Sequence, residues 1–280
     1  MAIKRYKPTT PGRRGASVIA RSKPARKRVK SLIEKIPNRA GRNNFGKITV
    51  RHKGGRGRRA YRKIDFSNPI EDYPAKVIDI QYDPNRTADI ALIEYENGSL
   101  AYTIAVGDLK IGDKIIASRK NEVDIKPGNR MLLKHIPAGI IISSIELKPK
   151  SKAVIARSAG SGATVLSSEA EFVVVKMPSG EVRKFNENCL ATIGSVGNSD
   201  WNLVRFGKAG RMRLMGVRPR VRGKAMNPVD HPHGGGEGRS PIGLKMPKTK
   251  WGKIALGVLT RKRNKSSDLL IIRKRKGKNK

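Results

Sequence analysis

The sequence predicts a mainly β protein, with two small β barrels in the middle of the chain and long irregular basic extensions on either side. Three observations predict it. Charge is confined to the ends: residues 1–60 hold 20 Lys and Arg against one acid, Glu34, residues 61–200 hold 18 against 18, and residues 201–280 hold 23 against 3. Apolar residues concentrate in the middle, 60 of 140 there against 18 of 60 before it and 26 of 80 after it, so only the middle can bury a sizeable core. Short apolar runs in that middle alternate with turn signals at the spacing of barrels or a sandwich.

The formal charge of +39 therefore lies in two extensions of +19 and +20 around a neutral centre. Such a surface repels itself and calls for a polyanion that neutralises it and releases counterions on contact. Nucleic acid fits better than a membrane, because Lys23-Pro24-Ala25-Arg26-Lys27-Arg28 and Gly54-Gly55-Arg56-Gly57-Arg58-Arg59 are broken by Pro and Gly and carry no amphipathic helical stripe. These tails read as extended segments that fold against RNA. No apolar run approaches the ~20 residues of a membrane span. Met1-Ala2-Ile3-Lys4-Arg5 lacks the apolar segment of a signal peptide, so a soluble protein that stays where it is made is expected.

Along the middle, Ala75–Tyr82 reads as a strand leading into the turn Asp83-Pro84-Asn85-Arg86, and Ile90–Tyr95 pairs with Leu100–Ile104 across Asn97-Gly98, the strongest short hairpin signal. Lys126-Pro127-Gly128-Asn129 interrupts the pattern and places a boundary near 127–130. Gly139–Leu147 reads as strand, Ser167–Glu171 as a turn or two of helix, and Glu171–Met177 with Glu181–Phe185 as a second hairpin around Pro178-Ser179-Gly180. A single cysteine allows no internal disulfide and no Cys-cluster metal site. Its place in Cys189-Leu190-Ala191-Thr192-Ile193, which reads as a strand, predicts a buried thiol. The expected division is a basic extension over 1–60, one barrel over 61–128, a second over 129–200, and a basic irregular extension over 201–280 that contains a Gly/His segment at 227–238.

The basic residues of the extensions are the first candidates for RNA contact: Arg51, Lys53, Arg56, Arg58 and Arg59, then Lys208, Arg211, Arg213, Arg218, Arg220, Arg222 and Arg239. Arg86 and Arg157 join them because they sit in turns of an otherwise balanced region, where an arginine can make bidentate contacts to phosphate or a base edge. An ordinary exposed arginine is the alternative at both positions. Gly41-Arg42-Asn43-Asn44-Phe45-Gly46-Lys47 resembles a phosphate-binding P-loop, yet Ile48 stands where Ser or Thr would hold magnesium, and Ile48-Thr49-Val50 reads as strand rather than helix. A basic RNA-contacting loop is the better account.

Asp230-His231-Pro232-His233 and Glu237 invite sharper chemistry. The His-x-His spacing matches no standard zinc pattern, so no metal site is assigned. His231 as a general base oriented by Asp230 is the one catalytic candidate, but no nucleophile or oxyanion site accompanies it. In the preferred reading the glycines let backbone amides approach phosphates while His231 and His233 bond to or stack on RNA. Trp201 and Trp251 flank this segment, and packing or base stacking is open for both. His52 and His135 are assigned no chemistry.

The motifs Tyr6-Lys7-Pro8-Thr9-Thr10-Pro11-Gly12, Arg51-His52-Lys53-Gly54-Gly55, Tyr61–Phe66, Tyr82-Asp83-Pro84-Asn85-Arg86-Thr87 and above all Asn227-Pro228-Val229-Asp230-His231-Pro232-His233-Gly234-Gly235-Gly236-Glu237-Gly238 resemble the large-subunit ribosomal protein two family. The resemblance runs from end to end, and Lys262–Asp268 matches the bacterial and plastid type. It implies an OB-like barrel followed by an SH3-like barrel. It also implies binding to large-subunit rRNA near the peptidyl transferase region, small-subunit rRNA across the subunit interface, and neighbouring ribosomal proteins as partners. Arg86 and Arg157 match arginines that face RNA from the two barrels. His231 matches a histidine for which a part in peptidyl transfer has been proposed, and it is read here as an RNA-positioning residue in a protein that is not itself an enzyme. No intrinsic cofactor is expected beyond Mg2+ bridging the rRNA. No membrane contact and no homo-oligomer are expected, and the location is the cytoplasm, or the stroma of a plastid. The chain departs from the family at Gly54–Arg59, where Gly-Gly-Arg-Gly-Arg-Arg stands for Gly-Gly-Gly-His-Lys-Arg, and in a short, basic stretch between Arg21 and Arg39.

Overall fold

The computed structural model describes residues 3–20, 28–67, 72–237, 239, 241–262 and 264–275. The extended reading of Lys23–Lys27 and the closing glycine of the 227–238 segment lie outside the described residues. The fold is mainly β, an OB-like barrel followed by an SH3-like barrel with irregular basic extensions, and its α-helices are confined to Pro11–Arg14 and Ala209–Leu214 among the described residues. Among the described residues, no helix is long and apolar enough to cross a membrane.

Two compact units are present, one made of Met1–Pro37, Arg58–Lys208 and Ser266–Lys280, the other of Asn38–Gly57 and Ala209–Lys265. In the first, a four-stranded antiparallel sheet runs in the order Leu100–Ile104, Ile90–Tyr95, Ala75–Gln81, Lys114–Ile115. Its central hairpin has the expected register, Ile90 opposite Ile104 and Glu94 opposite Leu100, with Gly98 at φ +75° closing the turn. Alternation places Ala75, Val77, Ala91 and Ile93 in one apolar cluster with Val106 and Ile115.

A seven-stranded sheet of the same unit runs in the order Ile271–Arg273, Val182–Asn186, Phe172–Lys176, Ala163–Glu169, Ile141–Ser143, Leu190–Ile193, Arg130–Leu132. Val173, Val175, Phe185, Ile142 and Cys189 form its buried core. Burial, and secondarily the Glu146 carboxylate, pushes the Cys189 thiol up to about 11, so the expected buried thiol is protonated and inert at neutral pH. The two barrels join edge to edge: Val106 bridges Val196, Ala117 bridges Arg130, and the Asn198 side-chain amide donates to the Thr87 carbonyl at 2.6 Å. Glu146, also buried, ties the joint from within. Its Oε1 lies 2.6 Å from the Arg119 guanidinium and 3.5 Å from that of buried Arg130, and its Oε2 accepts the Leu190 amide at 3.1 Å.

Three local expectations are corrected. Ser167–Glu171 does not form helix, because Ala163–Glu169 continues as a strand against Phe172–Lys176, with a bulge between Val165 and Ser167. Burial of Ala163 and Val165 on the sheet outweighs the local helical signal. Gly139–Leu147 is not one strand: Ser144 at φ +47° breaks it, and Ile141–Ser143 and Ile145–Glu146 enter different sheets. Ile48–Val50 makes a single bridge from Ile48 to Arg42, and Thr49 and Val50 both donate to the Gly41 carbonyl at 3.0 and 3.1 Å, which curls this stretch into a turn.

The second unit is held differently. Gly54 N–H donates to the Gly216 carbonyl at 2.9 Å, Arg218 N–H to the His52 carbonyl at 3.0 Å, and Lys53 bridges Val217. Among the described residues every buried apolar side chain belongs to the first unit, so backbone pairing rather than a core gives the second its shape.

Candidate nucleic-acid interface

In the first unit the turn Asp83–Thr87 and the loop after Ala153–Ile155 face one open groove of about 820 Å³. The Arg157 Cζ lies 4.7 Å from the centroid of the Phe66 ring, and the Arg86 Cζ lies 5.8 Å from the same centroid and 6.0 Å from that of Tyr61. Two guanidiniums from different barrels thus lie within cation–π range of one aromatic ring. Ala156 at φ +52° turns the chain so that Arg157 projects here, and its guanidinium donates to the Ala153 carbonyl at 3.1 Å. The Thr87 hydroxyl accepts the Ala159 amide at 3.2 Å, linking the two loops directly.

Arg157 is exposed, as expected of a contact residue. Arg86 is not: its side chain is only 18% exposed, and its Nε donates at 2.6 Å to Asp83 Oδ2. Asp83 is buried. It needs this partner, the Asn85 amide at 2.9 Å and Arg62 at 3.7 Å to offset the loss of water. Arg86 therefore has a structural duty that sequence alone did not show.

A second basic surface opens beside the same turn. Arg28, Lys30, Arg58, Arg59 and Arg62 line a recess of about 790 Å³ with Tyr82, and Arg59 is anchored by a 2.7 Å bond to the Pro84 carbonyl. Arg58 and Arg59 were expected at such a surface. Arg28 ends the basic run expected to fold against RNA, whereas Lys30 and Arg62 reach this surface through the pairing of Ile33–Lys35 with Ala60–Arg62. Lys208 is exposed and lies against Gly12, away from both recesses.

The second unit gathers most of the other candidates. Its segments hold 21 Lys and Arg against two acids, Asp230 and Glu237, a formal +19 carried by a fold with no buried apolar side chain among its described residues. Lys53, Arg56, Arg213 and Arg218 converge where the two segments pair, and space there is tight: a Cβ on Gly54 would lie 2.9 Å from the Arg218 Cγ and 3.4 Å from an Arg213 nitrogen. Arg51, Arg220, Arg222 and Arg239 are exposed. Arg211 and Arg56 are half-buried.

The Gly/His segment folds back on itself. Asp230 and His231 amides donate to the Asn227 carbonyl at 3.0 and 3.3 Å, and the Gly235 amide to the Met226 carbonyl at 3.0 Å. Glycine is required here because a Cβ on Gly234 would overlap the Asn227 carbonyl, and one on Gly223 would lie 2.5 Å from the His231 Cε1. The two imidazoles lie 4.7 Å apart. His231 Nδ1 accepts the His233 amide at 3.0 Å, and His233 Nε2 accepts the Lys248 amide at 2.8 Å. Partial burial, then His231 and Lys248, hold the His233 pKa below its usual value, which keeps it a neutral acceptor. With Nδ1 occupied, the neutral His231 ring carries its proton on Nε2, so the nitrogen left for a ligand is a donor. That arrangement suits a phosphate or carbonyl oxygen and does not suit a general base.

Comparison with protein families gives two matches: residues 29–117 match the model described as Ribosomal Proteins L2, RNA binding N-terminal domain, and residues 126–252 match the one described as Ribosomal Proteins L2, C-terminal domain.

Proposed function

This chain belongs to the ribosomal protein L2 family, with its ribosomal, RNA-binding role, and from that premise we propose that it is a constituent of the large subunit that binds large-subunit rRNA near the peptidyl transferase region. There it supports subunit association, tRNA binding and peptide bond formation without being the catalyst. Its partners are then large-subunit rRNA, small-subunit rRNA across the interface and neighbouring ribosomal proteins, with Mg2+ bridging the rRNA phosphates. It acts as a single copy in the cytoplasm or in a plastid stroma.

One observation carries the reading: a unit of formal +19 with no buried apolar side chain among its described residues. Repulsion among its arginines is relieved by phosphates, and a folded RNA supplies them at the right density. The Arg86–Arg157 groove adds a fixed contact on the barrels, and the three-way joint at Glu146 keeps those barrels in one register for it.

The groove is tested by Arg157→Ala and Arg86→Ala, assayed by retention of in-vitro transcribed large-subunit rRNA on filters and by thermal melting. Arg157→Ala is expected to weaken binding with an unchanged melting curve. Arg86→Ala is expected to weaken binding and also to cost about 1–3 kcal/mol of stability, the penalty of one lost donor to a buried carboxylate that keeps the Asn85 amide and Arg62. Unaltered rRNA affinity in both variants would remove the groove from the interface.

The non-catalytic role of His231 rests on its Nε2–H tautomer. Ribosomes assembled with His231→Ala are expected to form peptide bonds at the wild-type single-turnover rate. Loss of ~10²–10⁴ in that step, the worth of a general base, would instead favour direct participation in peptidyl transfer.

A further inference from the structure

Trp251 sits at the tip of a small hairpin in the second unit. Lys248 bridges Ile254, the Thr249 amide donates to the Lys253 carbonyl at 2.7 Å, and the Gly252 amide donates back to the Thr249 carbonyl at 3.0 Å. Gly252 at φ +77° completes a three-residue turn that requires a left-handed residue at that place. The turn pushes the indole outward, and it is 66% exposed. Two cations attend it: the Arg51 Cζ and the Lys250 Nζ each lie 5.0 Å from the ring centroid. The hairpin is also tethered, since the Lys248 amide is the donor that binds His233.

We propose that Trp251 is a stacking platform for one unpaired nucleobase of the rRNA, with Arg51 and Lys250 taking the phosphates that flank it. The inference rests on the RNA-binding reading above and names the chemistry of one of its contacts. An indole is the largest flat apolar face a side chain offers, and leaving most of it in water is unfavourable unless a partner covers it. Cations beside the ring make a paired base or an apolar protein surface a poor cover, whereas an unstacked base brings its own π face and two phosphates. The His233 bond makes that residue a positioning group for the hairpin.

Fluorescence gives the test, because Trp201 is the other tryptophan and Trp201→Phe preserves its edge-on contact with Phe206, 6.4 Å away. In that background Trp251 alone reports. Titration with large-subunit rRNA is expected to quench its emission along the same curve that filter retention follows. Trp251→Leu is expected to weaken binding about 5- to 150-fold, the range for one stacked base, with an unchanged slope against salt, and Trp251→Phe to recover most of the loss. Arg51→Gln is expected to make that slope shallower instead. Normal rRNA binding with unquenched emission would overturn the platform while leaving the RNA-binding reading intact, and would assign the ring to a protein neighbour. Absence of any salt-dependent rRNA binding by the unaltered chain would remove both.

Discussion

Glu146→Ala is expected to lower the stability of the barrel unit by about 3–5 kcal/mol, the cost of leaving a buried charge without its partner. Glu146 lies between Arg119 of the first barrel and Arg130 at the start of the second, and it also caps the Leu190 amide. Its removal takes the carboxylate away from the buried Arg130 guanidinium, which keeps its 3.4 Å bond to the Phe66 carbonyl, and frees a strand N–H at the same time. For a unit of this size that loss corresponds to a fall of about 6–20 °C in Tm. Glu146→Gln separates the two causes, since it preserves an acceptor for Leu190 and removes only the charge. A melting curve unchanged in both variants would show that the barrels hold their register without this carboxylate.

The second large effect is on salt. If the cations of both units meet phosphates, the logarithm of rRNA affinity falls with the logarithm of salt at roughly 0.7 to 0.9 per phosphate engaged. With about 6–10 such contacts, affinity drops about 10³- to 10⁵-fold between ~50 and ~200 mM salt. Replacing Arg213 and Arg218 by Gln should make the slope shallower by nearly two contacts, because both side chains crowd Gly54 where the two segments of the second unit pair. Filter binding across a potassium chloride series measures the slope. Tight binding with a slope near zero would mean that the basic extensions are not the anchors.

The hairpins were legible because Asn97-Gly98 and Pro178-Ser179-Gly180 mark turns and the flanking residues alternate with period two. The buried Cys189 followed from the apolar strand beside it. Arg86 was legible as a candidate contact but not as the partner of buried Asp83, because the burial of Asp83 is decided by strands and loops remote in sequence. The helical expectation at Ser167–Glu171 failed for the same reason, a local signal being outweighed by the neighbouring strand. The pairing of Asn38–Gly57 with Ala209–Lys265 left no trace in the sequence. Backbone amides and carbonyls make it, Gly54 to Gly216 and Arg218 to His52, and such bonds impose no periodicity on the side chains. The tautomer of His231 was likewise beyond the sequence, since a bond from the His233 amide sets it.

The central claim is that this chain is a stoichiometric part of the large ribosomal subunit, and sedimentation of cell lysate through a sucrose gradient tests it most directly. The chain, followed by immunoblot and quantified against a core large-subunit protein, is predicted to peak with the large subunit and the whole ribosome at one copy per particle. Substoichiometric amounts there, with most of the chain in the soluble fractions, would contradict the account and identify a dissociable factor instead.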